Sequence, residues 1–261
     1  MGIDDVSSDV SLWLRRFEPA DNAGSRLVCF PHAGGSAAFY LPMARALAPA
    51  VDVLAVQYPG RQDRRAEPCI DDIPSLADHV ARALAGSLDR PLALFGHSMG
   101  ALIAFEVARR LQRDRPGQPA HLFVSGRRAP TRYHEETYHL LDDDGIVAEI
   151  RSRGGTEARV LEDKELLEMV LPTIRGDYRA VGRYRYVAGD PLRCPVTAIV
   201  GDRDQQASVE EVMDWEKQAP EGGFEFKLFP GGHFFLVKEI AEVLAVVSDR
   251  IGPATGTGLR R

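Results

Sequence analysis

The chain has 261 residues, of which 44% are hydrophobic and 27% charged, and its formal net charge is −6. This is ordinary for a soluble globular protein, and the length suffices for one large α/β domain or a domain with an insertion. The acidic balance argues against a nucleic-acid partner, which favours a basic surface, and no apolar run approaches the length of a membrane span.

The three cysteines, Cys29, Cys69 and Cys194, are an odd number without C-x-x-C spacing. Two of them, Cys29 and Cys194, lie in or beside apolar strand-like runs, so we expect reduced and mostly buried thiols rather than disulfides or a metal site. The first residues lack the basic and apolar regions of a signal peptide. The sequence therefore predicts a cytoplasmic protein.

Short apolar runs and amphipathic stretches alternate along the first half of the chain. The predicted strands cover 13–17, 26–30, 51–56, 92–95 and 120–125. The predicted helices cover 40–47, 74–88 and the stretch after residue 100. Strands and helices that alternate with short links are typical of an α/β fold with a mostly parallel sheet and helices on both faces.

The alternation stops between residues 133 and 189, where no convincing strand occurs. Two helices are predicted there, over 144–152 and 163–178, and Pro172 should kink the second. Its apolar face consists of Leu166, Leu167, Val170, Leu171, Ile174 and Tyr178. This face would serve the core or an acyl-binding channel, and we favour core packing for most of it. The position late in the sheet predicts a helical lid insertion over 133–189.

The strand pattern returns over 194–200 and 224–229, with a helix over about 208–217 between them. The last helix is expected to turn Val237, Ile240, Ala241, Leu244 and Val247 inward. We therefore predict one discontinuous core domain, formed by 1–132 and 190–251. Residues 252–261 are expected to form a disordered tail.

The pentapeptide Gly-His-Ser-Met-Gly at 96–100 lies between a predicted strand and a predicted helix. Strand, G-x-S-x-G, helix is the context of a nucleophile elbow, in which glycines on either side let the serine occupy a strained, exposed turn. We therefore predict that Ser98 is a nucleophile. The alternative is an ordinary Gly-Ser turn, which the two correct flanks disfavour.

A serine nucleophile needs a base to accept its proton and an acid to orient that base. After Ser98, the chain offers Asp204 behind the strand that ends near 200, and His233 behind the strand that ends near 229. Ser, Asp, His is the α/β-hydrolase order, with each residue following a strand. We predict His233 as the general base and Asp204 as its orienting carboxylate, with Asp202 as a less favoured alternative.

The segment Pro-His-Ala-Gly-Gly-Ser at 31–36, here called the glycine loop, follows an early predicted strand. Small residues there would let a backbone N–H approach a substrate carbonyl. We predict an oxyanion hole formed by the N–H groups of Ala33 and Met99; the alternative is a simple turn. His32 is expected to anchor the loop rather than act as a base.

Other chemistries find no support in the sequence. His134-Glu135 lacks the second histidine of a zinc-protease helix, because position 138 is Tyr. There is no phosphate-binding P-loop and no dinucleotide-binding glycine motif. We therefore expect no metal and no bound cofactor.

Four stretches together resemble the type II thioesterases, stand-alone α/β-hydrolases that accompany polyketide synthases and nonribosomal peptide synthetases. They are Cys-Phe-Pro-His-Ala-Gly-Gly-Ser at 29–36, Gly-His-Ser-Met-Gly at 96–100, Gly-Asp-Arg-Asp at 201–204 and Gly-Gly-His-Phe-Phe at 231–235. The resemblance runs from about Trp13 to Ile251 and includes Gln-Tyr-Pro-Gly-Arg at 57–61. It implies a serine enzyme that clears stalled or mis-primed acyl groups from the phosphopantetheine arm of acyl or peptidyl carrier proteins. It implies Ser98, Asp204 and His233 as the triad, and Ala33 and Met99 as oxyanion donors.

Several alternatives remain open at this stage. A product-releasing thioesterase, a general carboxylesterase and a non-catalytic hydrolase-fold binding protein fit parts of the same pattern. Carrier proteins are usually acidic, so two arginine clusters are candidate docking sites, against the alternative of a solvated basic face. The clusters are Arg127, Arg128 and Arg132, and Arg175, Arg179, Arg183 and Arg185. We expect a monomer that binds neither membrane nor nucleic acid.

Overall fold

The computed structural model describes residues 11–154 and 163–251. The expected disordered tail, 252–261, lies outside the described residues. Within them, seven strands form one sheet in the order β1-β3-β2-β4-β5-β6-β7. The strands are β1 (Leu14–Arg15), β2 (Ser25–Phe30), β3 (Val51–Val56), β4 (Leu92–His97), β5 (His121–Ser125), β6 (Val196–Gly201) and β7 (Phe224–Phe229).

All neighbouring strands run parallel except β1 and β3, which pair antiparallel with Leu14 opposite Val56. The strand expected over 13–17 is therefore a two-residue edge strand. Every residue of β2, β3, β4, β5 and β6 is buried. This explains why these strands are continuous apolar runs rather than alternating ones, because helices cover both faces of the sheet.

Helices pack on the two faces of the sheet in separate core clusters. One cluster contains the buried apolar residues of α2 (Ile73–Ala83) and α3 (Met99–Asp114), and the other contains those of α1 (Leu41–Leu47) and α8 (Ile240–Ile251). The predicted mostly parallel sheet with helices on both faces is therefore confirmed. The helices are α1 (Leu41–Leu47), α2 (Ile73–Ala83), α3 (Met99–Asp114), α4 (Asp143–Arg153), α5 (Lys164–Arg183), α6 (Val209–Met213), α7 (Phe235–Lys238) and α8 (Ile240–Ile251).

The two helices expected between 133 and 189 are present as α4 and α5. Asp142 caps α4 through the N–H of Gly145, and Asp163 caps α5 through the N–H groups of Glu165 and Leu166. Each carboxylate accepts hydrogen bonds from backbone N–H groups of the first turn that would otherwise have no partner. These bonds fix where each helix begins. Helix α5 runs through Pro172 and continues five residues past the expected end at Tyr178. The two helices share an apolar cluster of Ile146, Ile150, Leu171, Ile174 and Tyr178.

The expected inward face of the last helix is partly wrong. Val237 is 55% exposed and Ala241 is exposed, whereas Val243, Val247 and Ile251 are buried. The reason is a break at Glu239, which separates α7 from α8 and shifts the helical phase of the residues that follow. The apolar pattern extends back to Val237 only where the helix is uninterrupted.

The three cysteines are free thiols, and Cys29 and Cys194 are buried as expected. Across 11–154 and 163–251, no helix is both long and apolar enough to cross a membrane. In the same ranges, no group of three or more His, Cys, Asp or Glu side chains is arranged to hold a metal ion.

Candidate active site

Ser98 lies at the tight turn between β4 and α3. Its backbone angles are φ 55° and ψ −117°, a region that side-chain-bearing residues rarely adopt. Glycines make the turn possible: a Cβ on Gly96 would lie 2.3 Å from the Gly100 carbonyl oxygen, and one on Gly100 would lie 2.0 Å from the Phe30 carbonyl oxygen. The strained strand–serine–helix turn expected from the sequence is therefore present.

His233 and Asp204 are in direct contact at the same edge of the sheet. His233 follows β7, and its Nδ1 lies 2.9 Å from Oδ2 and 3.1 Å from Oδ1 of Asp204, which follows β6. The Asp204 side chain is fully buried and that of His233 is 3% exposed. Asp204 Oδ1 also accepts the N–H of Gln206 at 2.8 Å, which fixes the carboxylate. A buried carboxylate in this position can hold the imidazole in one tautomer.

The alternative orienting group, Asp202, has a different contact. Its Oδ1 accepts the N–H of Gly231 at 2.7 Å, and its side chain is 43% exposed. Asp202 therefore holds the turn that precedes His233, whereas Asp204 is the carboxylate that contacts the ring.

Ser98 and His233 line one cavity of about 350 Å³, a volume at the lower end of small-molecule pockets. His32 and Ala33 of the glycine loop form part of the same wall. Helices α4 and α5 close the opposite side with the apolar side chains of Ile150, Val170, Ile174 and Tyr178. The apolar face of α5, for which core packing was favoured, thus also lines the cavity.

Two histidines beside His233, the half-buried His32 and the buried His97, are held neutral. Burial, reinforced by the nearby His233 and Arg61, lowers the pKa of His32 to about 3. Burial, with His233 and His32 adding to it, lowers the pKa of His97 well below its usual value. The His32 ring meets Phe39 and Phe234 edge-on, in line with the expected anchoring role. Since both rings are uncharged at neutral pH, neither adds a positive charge next to His233.

Ala33 of the glycine loop lines the cavity with Ser98, and Met99 follows Ser98 directly in the chain. The first N–H groups of a helix have no partner within the helix, and α3 begins at Met99. In the glycine loop, the N–H of Gly35 donates to the carbonyl oxygen of His32 at 2.9 Å, which closes a turn around Ala33. The N–H of Gly34 donates to Asp177 and is therefore engaged.

Comparison with known proteins decides the family. The protein-family model for the thioesterase domain matches residues 25–251 of this chain. The chain belongs to the thioesterase family. It is therefore a hydrolase that acts on thioesters, and its relatives below share its α/β-hydrolase fold.

This thioesterase is similar to proteins of polyketide and related biosynthetic clusters. It is 46% identical over 247 residues to the thioesterase PikA5 of Streptomyces venezuelae, covering 94% of this chain and 88% of that one. The structure of BorB, a type II thioesterase from the borrelidin biosynthetic cluster, superposes with a TM-score of 0.85 at 47% identity, covering 92% of this chain and 97% of that one. RedJ, from the prodiginine pathway of Streptomyces coelicolor, gives 0.82 at 38% identity, covering 90% and 89%.

Sequence reasoning missed three charged residues around the thioesterase cavity. Asp177 of α5 and Arg61 after β3 form a buried ion pair against the glycine loop. Arg153 lines the cavity, with its guanidinium 4.6 Å from the Tyr138 ring and 5.0 Å from the Tyr178 ring. The sequence contains one indication of Asp177: it is an acidic residue next to Tyr178 and three positions after Ile174, on an otherwise apolar helix face.

The arginine clusters of the thioesterase differ in how far they are available to a partner. Arg132 of the first cluster is 39% exposed and pairs with Asp214. Arg127 is half-buried and Arg128 is buried, both against Glu136, so these two do not form an exposed docking face. Their burial results from pairing with an acidic residue that follows them in the loop after β5. In the second cluster, Arg179 and Arg183 pair with Asp71, and their side chains are 39% and 60% exposed.

Proposed function

We propose that this thioesterase removes stalled or mis-primed acyl groups from the phosphopantetheine arm of acyl or peptidyl carrier proteins, through an acyl-enzyme on Ser98. One observation carries the proposal: the His233 ring lies 2.9 Å from the Asp204 carboxylate and lines the same cavity as the strained Ser98. The similarity to type II thioesterases of polyketide and nonribosomal peptide clusters supports the choice of substrate.

In the acylation step, Ser98 Oγ attacks the thioester carbonyl carbon while His233 Nε2 accepts the hydroxyl proton. The carbonyl oxygen becomes an oxyanion, which the N–H groups of Ala33 and Met99 stabilise. When the intermediate collapses, the carbon–sulfur bond breaks and the proton passes from His233 to the departing pantetheine sulfur. Asp204 accepts a hydrogen bond from the Nδ1–H of His233 throughout, without taking the proton, and stabilises the imidazolium that forms. One oxyanion donor is typically worth about 3–4 kcal/mol of barrier.

In the deacylation step, a water molecule takes the place of the thiol. His233 accepts a proton from this water, whose oxygen attacks the acyl-enzyme carbonyl, and then returns the proton to Ser98 Oγ as the ester bond breaks. The products are a free carboxylic acid and the regenerated serine. The same donors stabilise both oxyanions.

Helices α4 and α5 of the segment 133–189 line the cavity, and we propose that this segment acts as the lid of the site. The supporting observation is that α4 and α5 contribute Ile150, Val170, Ile174 and Tyr178 to the cavity. These apolar side chains suit the hydrocarbon part of an acyl group, because they remove it from water. The carrier would stay outside and deliver only its arm.

A panel of acyl-carrier substrates tests the proposal. An editing enzyme should hydrolyse short groups such as acetyl and propionyl broadly and slowly, whereas a product-releasing enzyme should prefer one long chain. Ser98→Ala should abolish turnover, and labelling of Ser98 by a fluorophosphonate should inactivate the parent protein. Hydrolysis by Ser98→Ala at the parental rate would refute the mechanism.

A further inference from the structure

Helix α5 contacts the glycine loop through one buried carboxylate. Asp177 Oδ2 accepts the N–H of Gly34 at 2.7 Å. The same oxygen accepts Arg61 Nη1 at 2.8 Å, and Oδ1 accepts Arg61 Nη2 at 2.9 Å. The Asp177 side chain is 1% exposed and that of Arg61 is 7% exposed. A bidentate pair of this kind is geometrically specific, and hydrogen bonds to a charged group are roughly twice as strong as neutral ones.

The ion pair and one turn hydrogen bond together fix the peptide units around Ala33 and Gly34. The His32–Ala33 unit, which carries the Ala33 N–H, is held by the bond from Gly35 N–H to the His32 carbonyl oxygen, 2.9 Å long. The next unit is held by Asp177 through the Gly34 N–H. Arg61 Nη1 also donates to the Gly35 carbonyl oxygen at 3.2 Å. The direction of the Ala33 N–H therefore depends on both members of the ion pair.

The helix approaches the loop so closely that only glycine fits between them. Gly34 has φ +76°, and a Cβ there would lie 2.8 Å from Cγ1 of Ile174, one turn before Asp177 on α5. Thr173 Oγ1 adds a second polar contact by donating to the Gly60 carbonyl oxygen at 2.6 Å, next to Arg61. Helix α5 is therefore fixed both to the glycine loop and to the segment after β3.

We infer that Asp177 and Arg61 are positioning residues for the oxyanion hole, so that the hole is complete only while α5 is docked on the glycine loop. The inference rests on the proposed function, in which Ala33 is an oxyanion donor. Helix α5 also lines the cavity with Val170, Ile174 and Tyr178. One helix thus contacts the acyl group and holds the loop that stabilises the transition state, which couples acyl-group packing to the chemical step.

The first test is Asp177→Ala, assayed with a small acetyl thioester. An oxyanion donor acts in the transition state and not on the bound substrate, so kcat should fall while KM changes little. We expect kcat to fall about 10–100-fold, less than the 10²–10³-fold loss when a donor is removed outright. Parental kcat in a folded Asp177→Ala protein would overturn the inference.

A single substitution leaves the Arg61 charge buried without its partner, which destabilises a protein for reasons unrelated to catalysis. The double variant Arg61→Met, Asp177→Leu removes both charges and fills the space with apolar groups, an exchange that is often neutral for stability. It should melt near the parental temperature and lose as much kcat as Asp177→Ala. Arg61→Lys keeps the charge but not the bidentate geometry, and it should show an intermediate loss.

The matched control is Asp52→Asn, which disrupts the buried ion pair between Asp52 and Arg26 near the opposite end of β3. This variant should lower the melting temperature and leave kcat unchanged. If Asp52→Asn lowers kcat as much as Asp177→Ala does, the effect comes from general stability and the positioning role is refuted.

A transition-state analogue separates positioning from structural damage. An alkyl trifluoromethyl ketone adds to a serine hydroxyl to form an oxyanion, so its affinity should fall across the Asp177 and Arg61 variants in proportion to kcat/KM. Affinity that stays parental while kcat/KM falls would refute the inference. Ser98→Ala keeps the two proposals apart: if this variant stays active, the proposed function fails, whereas inactive Ser98→Ala with fully active Asp177 variants overturns the positioning role alone.

Discussion

At the scale of single residues, the two acidic groups of the loop after β6 have clearly different tasks. Asp204 contacts His233 Nδ1, whereas Asp202 accepts a backbone N–H from Gly231. We predict that Asp204→Asn lowers kcat on an acyl thioester roughly 10³–10⁴-fold, because the amide no longer stabilises the tautomer and the imidazolium that catalysis needs. Steady-state kinetics at neutral pH provides the measurement.

Asp202→Asn is the internal control for that prediction, since it makes the same chemical change two positions earlier. The amide oxygen can still accept the Gly231 N–H, so kcat should fall less than about tenfold, by the difference between a charged and a neutral hydrogen bond. Equal losses in the two variants would contradict the assignment of Asp204 as the orienting group.

A buried histidine far from the cavity makes stability depend on pH. Burial, together with the positive charge of Arg250, lowers the pKa of His121 to about 4, and its Nε2 lies 2.8 Å from Thr197 Oγ1. The folded-state pKa lies below the unfolded value of about 6.5, so the unfolded chain binds the proton first as the pH falls. The contribution is present above pH 6.5 and is lost progressively down to about pH 4.

We predict that His121 contributes about 2 kcal/mol to the loss of unfolding free energy between pH 7 and pH 5. In His121→Gln, which does not titrate, the difference between urea unfolding at the two pH values should shrink by that amount. The other histidines, which include the buried His97 and His233, stay in both proteins and provide the common background. An unchanged pH difference would show that His121 does not titrate with a depressed pKa.

At the scale of elements, the turn between β4 and α3 places Ser98 at the cavity and depends on a close backbone approach. A Cβ on Gly100 would lie 2.0 Å from the carbonyl oxygen of Phe30 in β2, so α3 would have to move away from the sheet. We predict that Gly100→Ala lowers the unfolding free energy by about 1–3 kcal/mol, as overpacking does. Activity should fall as well, because the serine moves with the helix. Chemical denaturation and a thioester assay measure the two effects.

Gly86 provides the comparison for Gly100→Ala. A Cβ added to Gly86 meets no atom of the described residues within 4 Å, and its φ is not positive. Gly86→Ala should therefore leave activity unchanged and stability equal or slightly higher, because alanine restricts the unfolded chain. If the two alanine variants have the same stability, the close backbone approach at Gly100 does not limit how α3 packs against the sheet.

Whether a segment forms a strand or a helix could be predicted from the sequence where its apolar spacing agrees with its burial in the structure. Strands such as 51–56 and 224–229 have the bounds that their apolar runs indicate. The exposure of Val237 could not be predicted, because it depends on a backbone break at Glu239 that the apolar spacing does not reveal. Likewise, the face of α5 would be apolar whether it packs against the core or lines the cavity. Only tertiary packing decides which of the two it does, so the sequence could not.

At the scale of the whole molecule, parallel strands bring distant loops to one edge of the sheet. This rule made Ser98, Asp204 and His233 predictable, since each follows a strand and carries a recognisable residue type. The ion pair of Arg61 and Asp177 joins residues 116 positions apart on elements outside that rule. It could not be predicted, because neither residue's neighbours indicate where the other lies.

The proposed function requires the molecule to attract a carrier protein despite a net charge of −6. Arg179 and Arg183 extend from α5, the helix that walls the cavity, and both remain at least 39% exposed beside Asp71. We predict that Arg179→Glu with Arg183→Glu lowers kcat/KM for an acetylated acidic carrier about tenfold or more at low salt, mainly through slower association. Turnover of a small acetyl thioester should stay unchanged, and added salt should narrow the difference.

The control for this prediction reverses two exposed arginines near the carboxyl end of α3, Arg113 and Arg115. Both double variants have the same net charge, so any difference between them reports the position of the charges rather than their sum. The α3 variant should lose little activity on the carrier, because its charges lie well beyond the Debye length of about 10 Å from a carrier docked at the cavity. Equal losses of kcat/KM in the two double variants would show that the effect comes from overall charge repulsion. No loss in either variant would show that Arg179 and Arg183 form a solvated face and not a docking site.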